Sequence, residues 1–203
     1  MKIAVIGYPR TGSTKLCFVL EQLYNPTRYI GELLTHSTNM SKTIELINRK
    51  QPCIIKLFSY QFNDTPINLV DWKQFDLVCF TSRASIVDSF ISMMIANKRK
   101  QWIPGINKFV VDDPFILDST LFAGYYASHI EPLRNIIAVV EKVVIKTSHL
   151  TYAEIADTPT LLMRLGHNDR QICIPVTPTG INYREKCLNY DEIECAANDF
   201  NLV

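Results

Sequence analysis

The sequence predicts an α/β fold in which a central parallel sheet is flanked by helices, and three observations predict it. Short β-branched apolar runs alternate with longer stretches of helical spacing. The runs are apolar throughout rather than alternating, as in strands buried on both faces. The first run, Ile3-Ala4-Val5-Ile6, passes through a glycine-containing loop straight into a helix-forming stretch.

Taken in order, residues 3–6 form the first strand, which breaks at Gly7-Tyr8-Pro9. A helix over 13–24 follows, mostly buried because its surface is almost continuously apolar (Leu16, Cys17, Phe18, Val19, Leu20, Leu23), and Asn25-Pro26 ends it. A short strand over 28–30 leads into a polar segment through Asn39, then a modest helix over 41–50. Residues 53–58 (CIIKLF), 77–81 (LVCFT) and 142–146 (KVVIK) read as further buried strands. Ser85-Ile86-Val87-Asp88 is a capping box opening a helix to about 98. Asp113-Pro114 opens the next helical region, which extends to about 141 with a kink or break at Pro132. Thr151-Tyr152-Ala153-Glu154 is a second capping box, and Thr158-Pro159 opens a short helix ending at Gly166. A loop over 175–180 leads to a last helix over 189–200. Right-handed crossovers and the rule that ligands bind beyond the carboxyl ends of strands bring the loops after Ile6, Phe58 and Thr81 around one crevice. Residues 7–14, Ser59 and Arg83 are then neighbours.

The 203 residues suit a single domain, 1–203, with a real core. A hydrophobic share of 47% against 20% charged residues excludes a disordered chain. The net charge of +1 calls for no nucleic-acid partner, so any basic pocket is local. The first apolar run is too short for a signal peptide, and no run reaches the roughly 18–20 residues of a membrane span. None of the six cysteines forms a C-x-x-C pair, and Cys17, Cys53 and Cys79 lie in apolar runs, which predicts unbridged thiols in a reducing cytoplasm. The four histidines lack metal-ligand spacing, so no metal is expected.

The loop carries the chemistry. A strand–loop–helix turn points backbone N–H groups at one spot, where the helix dipole adds positive potential, so it suits an anion. Gly7-x4-Gly12 followed by Ser13-Thr14 nearly spells the nucleotide-binding P-loop, but Ser13 stands where that loop needs lysine. A triphosphate there would be under-neutralised; a less charged phosphate ester would not. Arg10 supplies a cation inside the loop.

Pro9-Arg10-Thr11-Gly12-Ser13-Thr14 resembles the 5′-phosphosulfate loop of sulfotransferases that use 3′-phosphoadenosine 5′-phosphosulfate (PAPS). The resemblance implies a three-layer P-loop-type fold. It extends to Arg83, followed by Ser92, Ala96 and Trp102, a series similar to the bacterial trehalose-sulfotransferase branch. There an arginine after a strand and a serine on the next helix hold the 3′-phosphate; Ser89, one turn earlier, is an alternative to Ser92. Glu32 in Gly31-Glu32 matches the general base of that branch in position, although Leu33-Leu34 replaces the usual aromatic neighbour, and His36 is a rival. Ile54-Ile55-Lys56-Leu57-Phe58 resembles the strand where the larger family often has Ile-Lys-Thr-His; Lys56 is retained, and Phe58 replaces the histidine. In the C-terminal segment Tyr183 could stack on adenine and Arg184 could reach phosphate. The likeness covers 1–102, is thin over 143–189 and is absent over 103–141, where acceptor recognition is expected.

The resemblance thus implies transfer of a sulfuryl group from PAPS to a hydroxyl or amine of a small-molecule or carbohydrate acceptor, without metal. Arg10 and the amides of Thr11 and Gly12 would neutralise the 5′-phosphate and leaving oxygen, assisted by the Ser13 and Thr14 hydroxyls. Lys56 would help the sulfuryl oxygens, and Glu32 would take the acceptor proton. Two rivals remain: a P-loop nucleotide or small-molecule kinase, and a non-catalytic module that binds PAPS or its product, 3′-phosphoadenosine 5′-phosphate (PAP).

Overall fold

A computed structural model describes residues 1–25, 29–30, 40–63, 66–99, 114–172 and 181–200. Its elements are β1 (Lys2–Gly7), α1 (Ser13–Tyr24), β2 (Tyr29–Ile30), α2 (Met40–Asn48), β3 (Cys53–Phe58), β4 (Leu77–Ser82), α3 (Ile86–Arg99), α4 (Leu121–Tyr125), α5 (Glu131–Val140), β5 (Thr147–Thr151), α6 (Tyr152–Ala156), α7 (Thr158–Leu165), α8 (Tyr183–Lys186) and α9 (Tyr190–Asn198). Four strands of five or six residues and the two-residue β2 form one sheet in the order β2-β3-β1-β4-β5, every neighbouring pair parallel.

β1 is central and wholly buried, which is why its sequence shows no polar face. Its side chains alternate between two cores. Ile3 and Val5 pack with Leu16 and Leu20 of α1, Leu150 of β5 and Leu161 of α7. Ala4 and Ile6 face Ile55, Phe80, Phe90, Phe122, Ile136 and Ile193. Helices therefore cover both faces, and each large aliphatic side chain buried there contributes about 1.5–3 kcal/mol. α1 follows the predicted 13–24, with Phe18 the exception on its apolar surface at 37% exposed. Asn25 closes it in the left-handed region, its N–H on the Glu21 carbonyl at 2.9 Å.

The Thr151 capping box is complete, and the Ser85 one is present in its first half. Ser85 Oγ accepts the Asp88 N–H at 3.0 Å; Thr151 Oγ1 accepts the Glu154 N–H, whose carboxylate in return accepts the Thr151 N–H at 2.7 Å. Gly166, at φ 80°, ends α7 as expected.

Two expectations are corrected. The strand read over 142–146 lies at 147–151 instead. The N–H groups of Val143 and Val144 return to the Val140 carbonyl, so this segment is the tail of α5, and Ile145 is fully exposed. β5 is an edge strand needing one buried face, which Leu150 supplies, so a mostly polar run suffices. The helical region does not start at 114: residues 114–120 are non-helical, and Phe115 pairs with Cys187 beside α8. From Leu121 to Val140 the region is continuous through Pro132, with a π-type turn over Tyr126–Ile130 in which the Glu131 N–H reaches the Tyr126 carbonyl. Proline has no N–H for the regular ladder, and the chain widens just before it.

Among the described residues no disulfide forms and no helix is long and apolar enough to cross a membrane. Cys79 is a core hydrophobe, and burial pushes its thiol up to about 12.

Candidate functional site

The loop after β1 is held by its own side chains. Gly7 lies level with Phe58 of β3 and Thr81 of β4. A Cβ at Gly7 would stand 2.1 Å from Thr81 Oγ1, so only glycine allows this approach. The Thr11 hydroxyl donates to the Tyr8 carbonyl at 3.0 Å and meets Thr81 Oγ1 at 2.7 Å; the Ser89 hydroxyl donates to the Pro9 carbonyl at 3.2 Å. Arg10 and Gly12, on either side of Thr11, have φ of 71° and 82°. Such alternation curls the chain into a concavity of N–H groups. Gly12 is also the N-cap of α1, so no cap side chain covers the first-turn N–H groups there.

Cations flank this concavity on both sides. Toward β4, Arg10 Nε donates to Ser92 Oγ at 3.1 Å, and Arg83 Nε donates to the Arg10 carbonyl at 2.9 Å. The Arg83 backbone N–H is fixed by the Tyr8 hydroxyl at 2.8 Å. The Arg83 guanidinium lies 4.1 Å from the ring centre of Tyr152 and 5.7 Å from that of Tyr183. Burial lowers the Arg10 pKa from its ordinary value, and the neighbouring Arg83 charge acts the same way. The Tyr183 hydroxyl is buried here and has no hydrogen-bond partner. Toward β3, Lys56 Nζ donates to Thr14 Oγ1 at 2.9 Å and stands 4.7 Å above the Phe58 ring.

The structure therefore brings together Arg10, Thr11, Gly12, Ser13, Thr14, Lys56, Arg83 and Ser92. Within this group Thr11 and Ser89 brace the loop, while Ser92 meets the Arg10 side chain. Arg184 is not drawn in: it is exposed and held by Asp191 and Glu194 at 3.0 and 3.1 Å. Tyr183 is, but with its ring toward Arg83. Ser59 turns away to donate to the His129 carbonyl at 2.6 Å. Glu32, His36 and Trp102, with Gly31, Asp113 and the 175–180 loop, lie outside the described residues. Sequence reasoning missed Tyr8 and Tyr152. Tyr8 is bracketed by Gly7 and Pro9 and reads as loop, while Tyr152 is hidden inside a capping box.

Near the crevice, the His129 ring packs between those of Tyr60 and Tyr125, at 5.3 and 5.0 Å. Its Nδ1 is buried without a partner, and burial pulls the imidazole down to about 4, so it is neutral at pH 7. Among the described residues no group of three or more His, Cys, Asp or Glu is placed to hold a metal ion.

No family model matches the chain, and no curated protein matches it.

Proposed function

We propose that the protein is a PAPS-dependent sulfotransferase acting on a hydroxyl or amine of a small-molecule or carbohydrate acceptor, with the sheet belonging to a three-layer P-loop-type fold. One observation carries the reading: cations stand on both sides of a phosphate-type loop that lacks the triphosphate lysine, Arg10 and Arg83 toward β4 and Lys56 toward β3. A nucleotide with two separate anionic ends matches such a division; a magnesium triphosphate, with its charge along one chain, does not. The Tyr183 ring, 5.7 Å from the Arg83 guanidinium, adds an aromatic wall to the side given to the 3′-phosphate.

On this reading the loop N–H groups, the α1 dipole, Ser13 and Thr14 receive the 5′-phosphosulfate. Lys56, through Thr14, is positioned for charge on the oxygens of the group in transfer. Arg83 and Ser92 hold the 3′-phosphate. The bond from sulfur to the phosphate oxygen breaks as a bond from sulfur to the acceptor oxygen or nitrogen forms, and Glu32, assigned from its sequence position, takes the acceptor proton.

Competition calorimetry tests the proposal. PAP should bind more tightly than 5′-AMP by about 1.5–3 kcal/mol, the scale of hydrogen bonds to charged groups. ATP with magnesium binding as tightly as PAP would overturn the reading in favour of a kinase. Tight PAP binding with no transfer from labelled PAPS across sugars, phenols and amines would leave a binding module.

A further inference from the structure

Arg10 sits in the loop, where the resemblance puts it on the reacting phosphosulfate, but its side chain leaves that position. We infer that Arg10 reads the 3′-phosphate of the nucleotide together with Arg83, Ser92 and Tyr183, and that the reacting end is left to Lys56, Thr14 and the loop N–H groups. The inference rests on the sulfotransferase reading above and divides the labour within that site.

The backbone supplies the first argument. Arg10 is one of two non-glycine residues with positive φ among those described, and the other, Asn25, closes a helix, a place where that conformation is common. The left-handed turn at Arg10 carries its side chain across to α3, where Nε meets the buried Ser92 hydroxyl. The same turn presents the Arg10 carbonyl to Arg83 Nε. One residue thus ties the loop to both Ser92 and Arg83, close enough for the two arginine charges to act on each other.

Charge supplies the second. Two neighbouring guanidiniums repel in a partly buried place, and a dianion between them reverses the sign of that interaction. A phosphate monoester is such a dianion near neutral pH. Each half of a phosphosulfate carries a single charge, which one lysine and a helix N-terminus match. Tyr183 supplies the third argument: its ring lies 5.7 Å from the Arg83 guanidinium, and its buried hydroxyl leaves its hydrogen-bonding capacity unused.

Calorimetry with PAP and 5′-AMP, which differ only in the 3′-phosphate, separates the roles. Arg10→Ala and Arg10→Lys should weaken PAP about 10- to 100-fold and 5′-AMP little, erasing the preference between them, with Tyr183→Phe a milder version of the same pattern. Lys56→Met should weaken both ligands alike. A single cooperative melting transition shows that each variant is folded, and the Arg10 and Tyr183 variants also keep 5′-AMP binding. An Arg10→Ala protein that loses both ligands equally, or keeps the wild-type preference for PAP, overturns the assignment of Arg10. A wild-type protein indifferent to the 3′-phosphate overturns the sulfotransferase reading itself.

Discussion

At the amino end of the sheet, Lys2 of β1 is 4% exposed, and its Nζ donates to the carbonyls of Ile47 and Arg49 where α2 ends, beside the Phe75 ring. At the carboxyl end, Lys56 of β3 is 5% exposed and stands over Phe58, but its Nζ donates to the Thr14 hydroxyl. Lys15 resembles Lys2, its Nζ reaching the Ala156 carbonyl at the end of α6. Carbonyls left over at a helix end need a donor for as long as the protein is folded, so a lysine placed there serves the fold. A threonine hydroxyl at the mouth of an N–H concavity can turn toward a ligand oxygen, so a lysine bonded to it stands at the place a ligand would take. At the carboxyl end the backbone even bends to suit side chains, as the left-handed Arg10 shows.

The hardest test of that carboxyl end is Gly7→Ala. A Cβ would fall 2.1 Å from Thr81 Oγ1 and 2.8 Å from the Thr81 carbonyl, the latter a backbone atom that cannot swing aside. Denaturant unfolding should show a loss of about 3 kcal/mol. A loss below about 1 kcal/mol would mean that β1 and β4 can spread, and that the loop is less fixed than its hydrogen bonds indicate.

Next in size is the lysine pair itself. Lys2→Met leaves buried carbonyls without their donor and should cost about 2 kcal/mol of stability. Lys56→Met should cost less, about 1 kcal/mol, while nucleotide affinity falls. Equal losses of stability from the two would make Lys56 a structural lysine, and the contrast would collapse.

How much of this was legible depended on where the information lies along the chain. β1, β3 and β4 are buried on both faces, so their sequences are unbroken apolar runs and were placed correctly. β5 is an edge strand with a mostly polar sequence, and the neighbouring Val143-Val144-Ile145 drew the reading five residues away. The π-type turn answers a missing N–H at Pro132, which marks a disturbance without saying how the chain absorbs it. In the site, Gly7, Pro9 and Gly12 announce a loop by composition. Its bonds to Arg83, Ser89 and Ser92 span more than seventy residues and depend on the register of β1 against β4, which no local pattern encodes. Arg184 misled for the opposite reason: its partners Asp191 and Glu194 stand on α9, across a turn.

The histidines repeat the contrast on a smaller scale. His149 is half exposed and meets Glu141 at 2.7 Å, whereas His129 is enclosed by Tyr60 and Tyr125 with Nδ1 unpartnered. Burial holds the folded-state pKa of His129 at about 4 against an ordinary 6.5. The unfolded chain therefore takes up the proton first as pH falls. Stability is full above pH 6.5 and declines toward pH 4, by about 3 kcal/mol from this group. His129→Gln should flatten that part of the stability–pH curve; an unchanged curve would mean that other groups set the acid sensitivity.

The smallest expected effects come from the two left-handed residues, and they separate the regions most finely. Asn25→Gly keeps the bond from its N–H to the Glu21 carbonyl and relaxes the φ of 41°. Glycine's larger unfolded-state entropy offsets part of that relief, leaving a gain of about 0.5 kcal/mol or less and no change in nucleotide binding. Arg10→Gly gains about 0.5 kcal/mol net from relieved strain, as at Asn25, but removes the side chain's bonds, among them the one to Ser92, itself worth about 1 kcal/mol. Stability should therefore fall by about 0.5–1.5 kcal/mol, while the preference for PAP over 5′-AMP disappears. Urea unfolding and calorimetry on the same preparation read both quantities. A fall in stability of more than about 2 kcal/mol would show that the Arg10 side chain props the fold as Lys2 does. In that case the strain at Arg10 would be a cost of folding, with no ligand needed to explain it.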